Sequence, residues 1–488
     1  MTLHETISTI AVHTLHNCPV DIPINGLQCD SRLIQPGDIF FALPGTHDNG
    51  LRFVDHALSL GAAAIVAAAP PTHHNIPWVE LATPPRPALA HLACHLNNHP
   101  SRNLDLYAIT GTNGKTTTAG LTRDILTAHN ITTGLFTTVI TAYPGTETAS
   151  PHTTPDAVTL QALLRCMVDA HCRAAVMEVS SHALDQHRCD GSHFKAVAFT
   201  NLTQDHLDYH HTMDAYFAAK TRLFTELATT DTTAVINTDD PYGARLADLT
   251  ITSAIPTLTY GINGQQDIHA TNLTLTSTGT TFNLVTPHGA SSVNSHLPGH
   301  YNVMNMLCAT ALAHSAAVPL ETTVATLNAA RPRWGRLELV QTPHPAQLFV
   351  DYAHTDDALD NVLSALREIT RNRLIVVFGC GGDRDRGKRP KMAVAAARHA
   401  DLVIVTSDNP RSESPSAIIN EIVIGFPSAT LYHTIPDRRD AIALALRRAS
   451  AGDVVLVAGK GHETTQTFAD KTIFFDDRSV LRELTNSM

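Results

Sequence analysis

The sequence predicts an α/β protein of three domains, and three observations support this prediction. With 488 residues, the chain is too long for one ordinary hydrophobic core. Short apolar strands alternate with helical patterns from residue 104 onwards, which is typical of mostly parallel sheets. The polar stretch at 97–103 and the segment Arg331-Pro332-Arg333 interrupt this pattern. We therefore predict domains over residues 1–102, 103–332 and 333–488.

Each predicted domain has its own strands. The first is expected to be a small α/β domain with short strands at 38–43 and 64–68. The central domain is expected to hold a mostly parallel sheet, with strands at 104–110, 174–178, 196–201 and 233–237. The third is predicted to be a Rossmann-like, doubly wound domain, with strands at 347–351, 374–378, 402–406 and 454–458.

The composition narrows the class of protein. A net charge of −11, from 34 basic and 45 acidic residues, argues against a chain that coats nucleic acid or an anionic membrane. The longest apolar run, at 62–69, is far below the roughly 18 residues of a spanning helix, and residues 1–17 lack a signal-peptide pattern. The eight cysteines include no C-x-x-C pair, so we expect reduced thiols and a cytoplasmic protein.

A glycine-bracketed turn follows the strand at 104–110 and precedes a helical pattern. It reads Gly111-Thr112-Asn113-Gly114-Lys115-Thr116-Thr117. Backbone N–H groups in such a turn bind phosphate, Lys115 can reach terminal phosphates, and Thr116 can hold Mg²⁺. Ile109 stands where the commonest P-loop has its first glycine, so a chance turn is the plain alternative. The turn predicts ATP binding by a central P-loop-type ATPase domain.

Two further chemical groups follow neighbouring strands. Glu178 ends the strand at 174–178, where bound Mg²⁺ would offset the cost of burying a carboxylate. The alternative is that Glu178 caps a neighbouring helix or pairs with an arginine. His206, in the loop 201–210, is the candidate ligand of a second metal ion, and a solvated Asp205–His206 pair is the alternative. Because ligands bind beyond the carboxyl ends of parallel strands, we expect both groups to converge on the glycine turn.

Lys220 stands in the apolar stripe of a helix predicted over 214–227. Tyr216, Phe217, Leu223 and Phe224 share its face. Its ammonium could reach water past its stem. Alternatively, burial lowers its pKa and makes the amine nucleophilic, so that it could carry CO₂ as a carbamate and act as an anionic metal ligand.

Eight motifs, taken in order, resemble those of the Mur ligases. They are GTNGKTTT, MEVSSHAL, FTNLTQDHLDYH, HLPGHYNVMN, VDYAHTDDAL, FGCGGDRDRGKRP, SDNPR and GKGHE, which extend the similarity over nearly the whole chain, from about Cys29 to Glu463. The resemblance implies a UDP-sugar-binding N-terminal domain, a central ATPase and a C-terminal domain that receives an amino acid. It also implies an ATP-dependent ligase that forms an amide bond in peptidoglycan biosynthesis.

The resemblance assigns roles to individual residues. It implies catalytic roles for Lys115, Glu178, His206 and Lys220, and ATP contacts for Gly111 to Thr117, Asn305, Arg336 and Asp351. Two Mg²⁺ ions would be held by Thr116, Glu178, His206 and the Lys220 carbamate. Asp356 stands where the family usually has proline, which implies a small loop change without loss of activity.

The implied UDP-sugar site draws on two domains. Uridine contacts are implied for Cys29, Ser31, Thr46, His47 and Asp48. The muramyl dipeptide would be held by Thr153, Thr154, Ser180, Gln186, Arg188 and Lys220, with His152 where an Asn is expected.

The acceptor amino acid is implied to depend on Asp408-Asn409-Pro410-Arg411. Arg411 offers a planar fork for a carboxylate, which meso-diaminopimelate has at its distal end and L-lysine lacks. Arg384, Gly459 and Glu463 match the other contacts of diaminopimelate-adding members, with Glu463 on the distal ammonium. A surface salt bridge is the alternative for Arg411 alone, and L-lysine is the alternative acceptor.

The resemblance thus implies UDP-N-acetylmuramoyl-L-alanyl-D-glutamate and meso-diaminopimelate as substrates. We expect a monomer, and the composition predicts no nucleic-acid partner and no membrane insertion. A P-loop kinase or switch protein would need only the glycine turn, and the other motifs argue against it. A folylpolyglutamate-type synthetase would share the fold and chemistry but lack the uridine motif and DNPR. A non-catalytic binding protein is disfavoured because Lys115, Glu178, His206 and Lys220 are all present.

Overall fold

The computed structural model describes residues 1–19, 21–45, 48–70, 76–276 and 279–487. The predicted uridine contacts Thr46 and His47 lie outside these residues. The predicted α/β class is confirmed, because three α/β sheets follow one another along the chain. The boundaries at 102/103 and 332/333 stay predictions. Among the described residues, no helix has both the length and the apolar character needed to cross a membrane.

The first sheet has the order β1-β5-β4-β3-β2, with β1 antiparallel to β5 and the other pairs parallel. Its apolar faces pack against the helices through residues such as Ile39, Phe41 and Leu92. Its elements are α1 (Leu3–Ile7), β1 (Val12–His16), β2 (Gly26–Gln28), β3 (Asp38–Phe41), α2 (Val54–Ser59), β4 (Ala64–Ala67), β5 (Trp78–Leu81) and α3 (Pro85–Leu96).

The central sheet is the largest. Its elements are β6 (Asp105–Thr110), α4 (Lys115–Ala128), β7 (Thr133–Phe136), β8 (Ile140–Tyr143), β9 (Thr146–Ala149), α5 (Ala157–Asp169), β10 (Ala174–Glu178), α6 (Ser181–Asp185), β11 (Ala196–Phe199), α7 (Leu207–His210), α8 (Met213–Arg222), β12 (Thr233–Asn237), α9 (Pro241–Thr252), β13 (Thr257–Gly261), β14 (Ile268–Thr276), β15 (Gly279–Thr286), β16 (Gly289–Ser295), α10 (His300–Ser315) and α11 (Leu320–Ala329).

The centre of this sheet is parallel, as predicted, and its two wings are antiparallel. The order is β16-β15-β14-β13-β12-β11-β6-β10-β7-β8-β9. Strands β6, β7 and β10 to β14 pair in parallel, and β6, β7 and β10 to β12 are the buried runs among them. The wings β8–β9 and β14–β16 are hairpins with alternating polar residues and were not predicted.

The helix predicted over 214–227 is wrong in one detail. The α-helix α8 ends at Arg222 and continues as a π-helical turn over Leu223–Leu227. The apolar stripe is nevertheless buried, with Tyr216, Phe217, Leu223 and Phe224 packed in the core. The spacing of apolar residues predicted which side chains are buried. It did not predict the change from α-helical to π-helical hydrogen bonding at Leu223.

The third sheet has the order β17-β18-β22-β19-β20-β21, with its pairs parallel apart from β17–β18. Helices cover both faces, so the predicted doubly wound arrangement is confirmed. Its elements are β17 (Glu338–Leu339), β18 (Gln347–Asp351), α12 (Asp356–Ile369), β19 (Leu374–Phe378), α13 (Lys388–His399), β20 (Leu402–Val405), α14 (Pro415–Val423), β21 (Tyr432–Thr434), α15 (Arg438–Arg448), β22 (Val454–Ala458), the hairpin of β23 (Thr465–Thr467) and β24 (Thr472–Phe474), and α16 (Asp477–Asn486).

Candidate active site

A cavity of ≈ 480 Å³ lies between the central and C-terminal sheets. We call it the interdomain cavity. The carboxyl ends of β6, β10 and β11 open into it, as the sequence predicted. Of the residues predicted to handle ATP, the lining includes Thr112 to Thr117, Glu178, His206, Asn305, Arg336 and Asp351.

The turn between β6 and α4 has room for a ligand and none for side chains at its glycines. Gly111 and Gly114 have φ angles of +144° and +86°, which glycine adopts most readily. A Cβ on Gly111 would lie 1.9 Å from Thr200 Oγ1, and one on Gly114 would lie 2.3 Å from Asn305 Oδ1. This tight backbone at the start of α4 fits a bound phosphate group.

Two lysines meet on one carbonyl of this turn. Lys115 Nζ donates to Gly111 O (2.9 Å) and to Thr112 O (2.8 Å), and Lys220 Nζ donates to Gly111 O at 2.9 Å. Burial lowers the pKa of Lys220 well below its ordinary value, and the nearby charge of Lys115 lowers it further. Lys220 does not reach solvent, because it is only 1% exposed, which contradicts the alternative of an ammonium in water.

Lys220 also contacts an aromatic ring. Its Nζ lies 4.6 Å from the centroid of the Tyr216 ring, which favours a cation there. The Tyr216 hydroxyl lies 3.2 Å from Thr112 Oγ1 and so joins α8 to the glycine turn. Burial raises the pKa of Tyr216, and the hydroxyl is therefore neutral. These contacts hold the amine of Lys220 directly behind the turn.

Glu178 is buried at the end of β10, 1% exposed. Its carboxylate accepts from the backbone N of Thr138 (2.9 Å) and from Thr138 Oγ1 (3.1 Å). Neither alternative from the sequence holds within the described residues, because Glu178 caps no helix and forms no ion pair with an arginine. Glu178 and Thr116 both line the interdomain cavity.

The donor set in the cavity fits magnesium chemistry. Glu178 and Thr116 offer oxygen atoms, which Mg²⁺ prefers, and the buried carboxylate has negative charge to share. No three His, Cys, Asp or Glu side chains are gathered around one point in the described ranges. The two-ion arrangement with His206 and a Lys220 carbamate therefore stays a prediction.

His206 lies on the loop after β11 with φ +54°, and its ring lies against Asp205 and His182. Its Nε2 lies 3.4 Å from Asp205 Oδ2, and its ring meets that of His182 edge-on at 4.9 Å. Burial lowers the pKa of His206 to about 3, although Asp205 opposes the shift. The imidazole is therefore neutral at physiological pH and can act as a metal ligand.

The residues predicted around the nucleotide come from both domains. Arg336 donates to Thr116 Oγ1 (3.0 Å), and its guanidinium lies 4.5 Å from the centroid of the Tyr352 ring. Asp351 accepts from the backbone N of Leu337 and from that of Ala353 (2.7 Å). Asn305, on α10, accepts from Thr118 Oγ1 at 3.4 Å. The C-terminal domain thus completes one wall of the cavity.

The residues predicted to hold the muramyl dipeptide form a connected hydrogen-bond network. Thr154 Oγ1 donates to the backbone O of Glu178 (2.9 Å), and Arg188 donates to the backbone O of Thr154 (2.9 Å) and to Gln186 Oε1 (2.8 Å). Ser180 caps α6 by accepting from the backbone N of Ala183. Thr153 accepts from Thr138 and lines the interdomain cavity with Ser180. This network runs from that cavity toward the N-terminal domain.

A smaller cavity, of ≈ 140 Å³, lies between the first two domains and brings together predicted residues from both. Burial raises the pKa of Cys29, on its rim, to about 12, so the thiol is protonated. Ser31 lies outside this lining and contacts His56 Nδ1 (3.0 Å), while the exposed Asp48 accepts from Arg52 (2.6 Å). The lining consists of Cys29, Leu43, Arg86, Leu89, His152, Asp156, Ala157, Gln186 and Arg188.

The residues predicted to bind the acceptor amino acid lie together in the loops that follow β19, β20 and β22. Arg411, with φ +53°, donates to Gly382 O at 2.7 Å. Burial and the neighbouring Arg384 lower the pKa of Arg411. Arg384 is exposed, and two adjacent guanidinium groups favour an anionic ligand between them. Pro410 and Asp408 are buried beside them.

Glu463 is engaged by a residue that the sequence analysis missed. Its Oε2 accepts from Lys460 Nζ (3.0 Å) and from Asn409 Nδ2 (2.8 Å). Lys460 is fully buried and also lies 4.0 Å from Asp408 Oδ1. Gly459, with φ +110°, leaves space for Asp408, because a Cβ there would lie 2.5 Å from Asp408 Oδ2. The lysine of the GKGHE motif was the available signal for this contact.

Other groups at the site were also missed. Asp357, on α12, accepts from Asn113 Nδ2 (2.8 Å), and Lys388, on α13, lies 3.5 Å from Asp205 Oδ1. Although burial opposes ionisation, Lys388 and the neighbouring histidines hold the pKa of Asp205 well below its ordinary value. Both contacts join the C-terminal domain to the central one, and no local sequence pattern reveals such pairs.

Fold and site together define a nucleotide-binding α/β enzyme whose cavity is shared by two domains. Three family models match the chain: "Mur ligase family, catalytic domain" at 23–96, "Mur ligase middle domain" at 109–313, and "Mur ligase, glutamate ligase domain" at 335–461. The chain is 44% identical over 492 residues to the Synechococcus elongatus protein named UDP-N-acetylmuramoyl-L-alanyl-D-glutamate–2,6-diaminopimelate ligase, with 99% of this chain and 98% of that protein covered. The chain therefore belongs to the Mur ligase family.

Solved structures agree with this assignment. A structure of a UDP-N-acetylmuramoyl-L-alanyl-D-glutamate–2,6-diaminopimelate ligase is 34% identical, with a TM-score of 0.68, and covers 100% of this chain and 99% of its own. A Mycobacterium tuberculosis folylpolyglutamate synthase complexed with ADP and AMPPCP is 20% identical, with a TM-score of 0.64, and covers 75% of this chain and 91% of its own. The second likeness shows a shared fold alone. The resemblance to Mur ligases is confirmed.

Proposed function

We propose that this chain is an ATP-dependent amide ligase that adds meso-diaminopimelate to UDP-N-acetylmuramoyl-L-alanyl-D-glutamate in peptidoglycan biosynthesis. The observation that carries the proposal is the interdomain cavity, in which the glycine turn of the central domain faces Arg336 and Asp351. The acceptor residues lie on the same C-terminal domain as Asp351. Relatives with this activity in their names match nearly the whole chain.

The reaction must activate a carboxylate, which is a poor electrophile. The side-chain carboxylate of D-glutamate attacks the γ-phosphorus of ATP, and the bond from this phosphorus to the bridging oxygen breaks. ADP departs with the electrons of that bond, and the D-glutamate side chain is now an acyl phosphate. The amine of diaminopimelate then attacks the acyl carbon, loses a proton, and phosphate leaves with the electron pair of the C–O bond. Products are the amide, ADP and phosphate.

The residues of the cavity supply charge and position for these steps. Lys115, now bonded to the carbonyls of Gly111 and Thr112, is within the turn and can move its ammonium onto terminal phosphate oxygens. Bound Mg²⁺ neutralises phosphate charge, and Thr116, Glu178, His206 and a Lys220 carbamate would hold two such ions. Arg336, Asn305 and Asp351 would orient the nucleotide. Orientation and charge neutralisation are the main sources of rate in phosphoryl transfer.

Lys220 is proposed to act as a carbamate. Its neutral amine adds to the carbon of CO₂, and loss of a proton leaves an N-carboxylate. Burial and the nearby ammonium of Lys115 disfavour a second positive charge here. An anionic carbamate would instead balance Lys115 and a metal ion. The conversion removes an unfavourable buried cation and creates an oxygen ligand.

The acceptor is proposed to be selected by charge. Arg411 and Arg384 would bind the distal carboxylate of meso-diaminopimelate, and Glu463 with Asp408 and Asn409 would bind its distal ammonium. L-lysine has only an ammonium at that end, which two arginines repel. Gly459 and Pro410 shape the backbone of the pocket. The alternative acceptor, L-lysine, would leave both guanidinium groups without an anion.

The UDP-sugar is proposed to lie across the first two domains. Cys29, Ser31, Thr46, His47 and Asp48 would contact the uridine end, and the Thr153–Arg188 network would contact the dipeptide. Arg86 and Arg188 in the smaller cavity offer positive charge to an anionic ligand. We further propose that the enzyme is cytoplasmic and monomeric, with no nucleic-acid partner.

The test is phosphate release from ATP with the UDP-dipeptide, with and without each amino acid. Release that depends on both the UDP-dipeptide and diaminopimelate is expected. A folylpolyglutamate-type synthetase would release phosphate only with a folate and glutamate, and that result would overturn the proposal. A nucleotide-driven switch protein would hydrolyse ATP without either substrate, and a kinase would release no phosphate in either assay.

A further inference from the structure

Lys388 is a buried lysine whose ammonium group forms an ion pair with a carboxylate of another domain. It begins α13 in the C-terminal domain and is only 4% exposed. Its Nζ lies 3.5 Å from Oδ1 of Asp205, which belongs to the central domain and is 5% exposed. The pair therefore joins the two domains through buried charges.

Asp205 is the point where several groups meet. Its Oδ1 accepts from the backbone N of His206 (2.9 Å), and its Oδ2 lies 3.4 Å from the Nε2 atom of the same histidine. His354 of the C-terminal domain lies 3.6 Å from the same oxygen. The Asp205 carboxylate thus contacts both the backbone and the ring of His206.

A buried pair of this kind fixes geometry more than it adds stability. Removing charges from water costs several kcal/mol per ion, and the attraction between them returns that cost only when the partners are well placed. Lys388 and Asp205 meet that condition only in the arrangement in which the two domains face each other. The pair therefore specifies that arrangement.

Lys391 provides a comparison within the same helix. It lies one turn after Lys388 and also crosses to the central domain, where it donates to Gln204 Oε1. Lys391 is exposed, and its partner is a neutral amide. Exposed contacts of this kind contribute little. The two lysines share helix, domain and target loop but differ in burial and in their link to His206.

We infer that Lys388 is a positioning residue of the ligase: from the C-terminal domain it holds the Asp205 carboxylate, and through it the His206 ring, when the two domains meet. The inference rests on the proposed function, since it assigns a role in that reaction. It adds a residue from the GKRP segment to the C-terminal residues, such as Arg336 and His354, that line the interdomain cavity. Closing of the domains and completion of the His206 site would then be one event.

The test compares Lys388→Met with Lys391→Met in the full chain. Methionine keeps the length of the stem and removes the charge. We expect Lys388→Met to lower kcat by about 100-fold, as misplacement of a reacting group does. KM for ATP and for diaminopimelate should stay within about two-fold, because neither is contacted. Lys391→Met should match the wild type in all three constants.

Two further variants separate positioning from folding. Lys388→Arg keeps the charge and should recover part of kcat. Lys388→Gln is a polar replacement for use if the Met variant unfolds, and it should show the same loss of kcat as Lys388→Met. Adding Lys388→Met to Asp205→Asn should cause no further loss, because both act through one carboxylate. Equal losses for Lys388→Met and Lys391→Met, a loss confined to KM, or additive losses with Asp205→Asn would overturn the inference. If wild-type enzyme shows no turnover, the proposed function fails instead.

Discussion

The side-chain nitrogen of Lys220 lies 2.9 Å from the carbonyl oxygen of Gly111, in a position that is 1% exposed. Lys115 Nζ donates to the same oxygen. Two amines that share one buried acceptor repel each other when both are charged. This relationship gives Lys220 a reason to be neutral and to react with CO₂.

Carbamate formation at Lys220 is the first prediction. In ¹³CO₂-equilibrated buffer, the wild type should show a carbamate carbon resonance that Lys220→Arg lacks, since a guanidinium stays protonated. The Arg variant should lose kcat by about 100-fold or more, the scale of a lost charge-stabilising group. A carbamate signal of equal intensity in the Arg variant would assign the modification to another amine.

The depressed pKa of Lys220 predicts a pH dependence of stability. As pH falls below about 10.4, the unfolded chain takes up this proton before the folded one does. Stability is therefore lost as pH falls toward the depressed folded pKa. In CO₂-free buffer, the Tm of Lys220→Met minus that of the wild type should increase as the pH is lowered from about 10 to about 7. An advantage that is constant with pH would show that Lys220 stays protonated in the folded state.

Gly114→Ala should abolish nucleotide binding without unfolding the chain. The new Cβ would meet Asn305 Oδ1 at 2.3 Å, and φ +86° adds strain of about 1–2 kcal/mol. Gly145→Ala is the matched control, with φ +78° and nothing within 4 Å of its Cβ. Calorimetric titration with ATP should show no binding for the first variant and wild-type binding for the second. Wild-type affinity for ATP in both variants would show that the glycine turn does not bind ATP.

Arg411→Ala should weaken the use of diaminopimelate far more than that of ATP. Loss of a charge-assisted contact with the distal carboxylate should raise KM for diaminopimelate by about 10- to 100-fold. Arg386→Ala is the control, because this exposed arginine of the same region pairs with Glu421. Steady-state kinetics should leave KM for ATP unchanged in both variants. Equal increases in both KM values for Arg411→Ala would contradict its role with the acceptor.

The sequence predicted much of the fold because buried parallel strands are continuous apolar runs. Strands β10, β12, β18, β19 and β22 have the predicted bounds, whereas β11 ends at Phe199, two residues early. There the Thr200 hydroxyl donates to the backbone O of Asn113 (2.7 Å) and ties the chain to the glycine turn. The hairpin wings were missed because half-exposed, threonine-rich strands give a weak pattern.

The site was predictable where chemistry follows a strand and unpredictable where two domains meet. Glu178 and His206 could be named because each stands just beyond an apolar run, and Lys220 because it breaks a stripe. Lys388 and Asp205 stand 183 positions apart, and their contact exists only after both domains have folded. Lys460 was visible in a motif, but its burial was not. The assigned roles of these residues stay predictions.

The most direct measurement is phosphate release from ATP with UDP-N-acetylmuramoyl-L-alanyl-D-glutamate, with meso-diaminopimelate in one assay and L-lysine in the other. Turnover with diaminopimelate and none with lysine is the predicted result, because Arg411 and Arg384 match only the distal carboxylate. Turnover with lysine would keep the ligase and contradict the proposed selection by charge. No turnover with either amino acid would contradict the ligase itself.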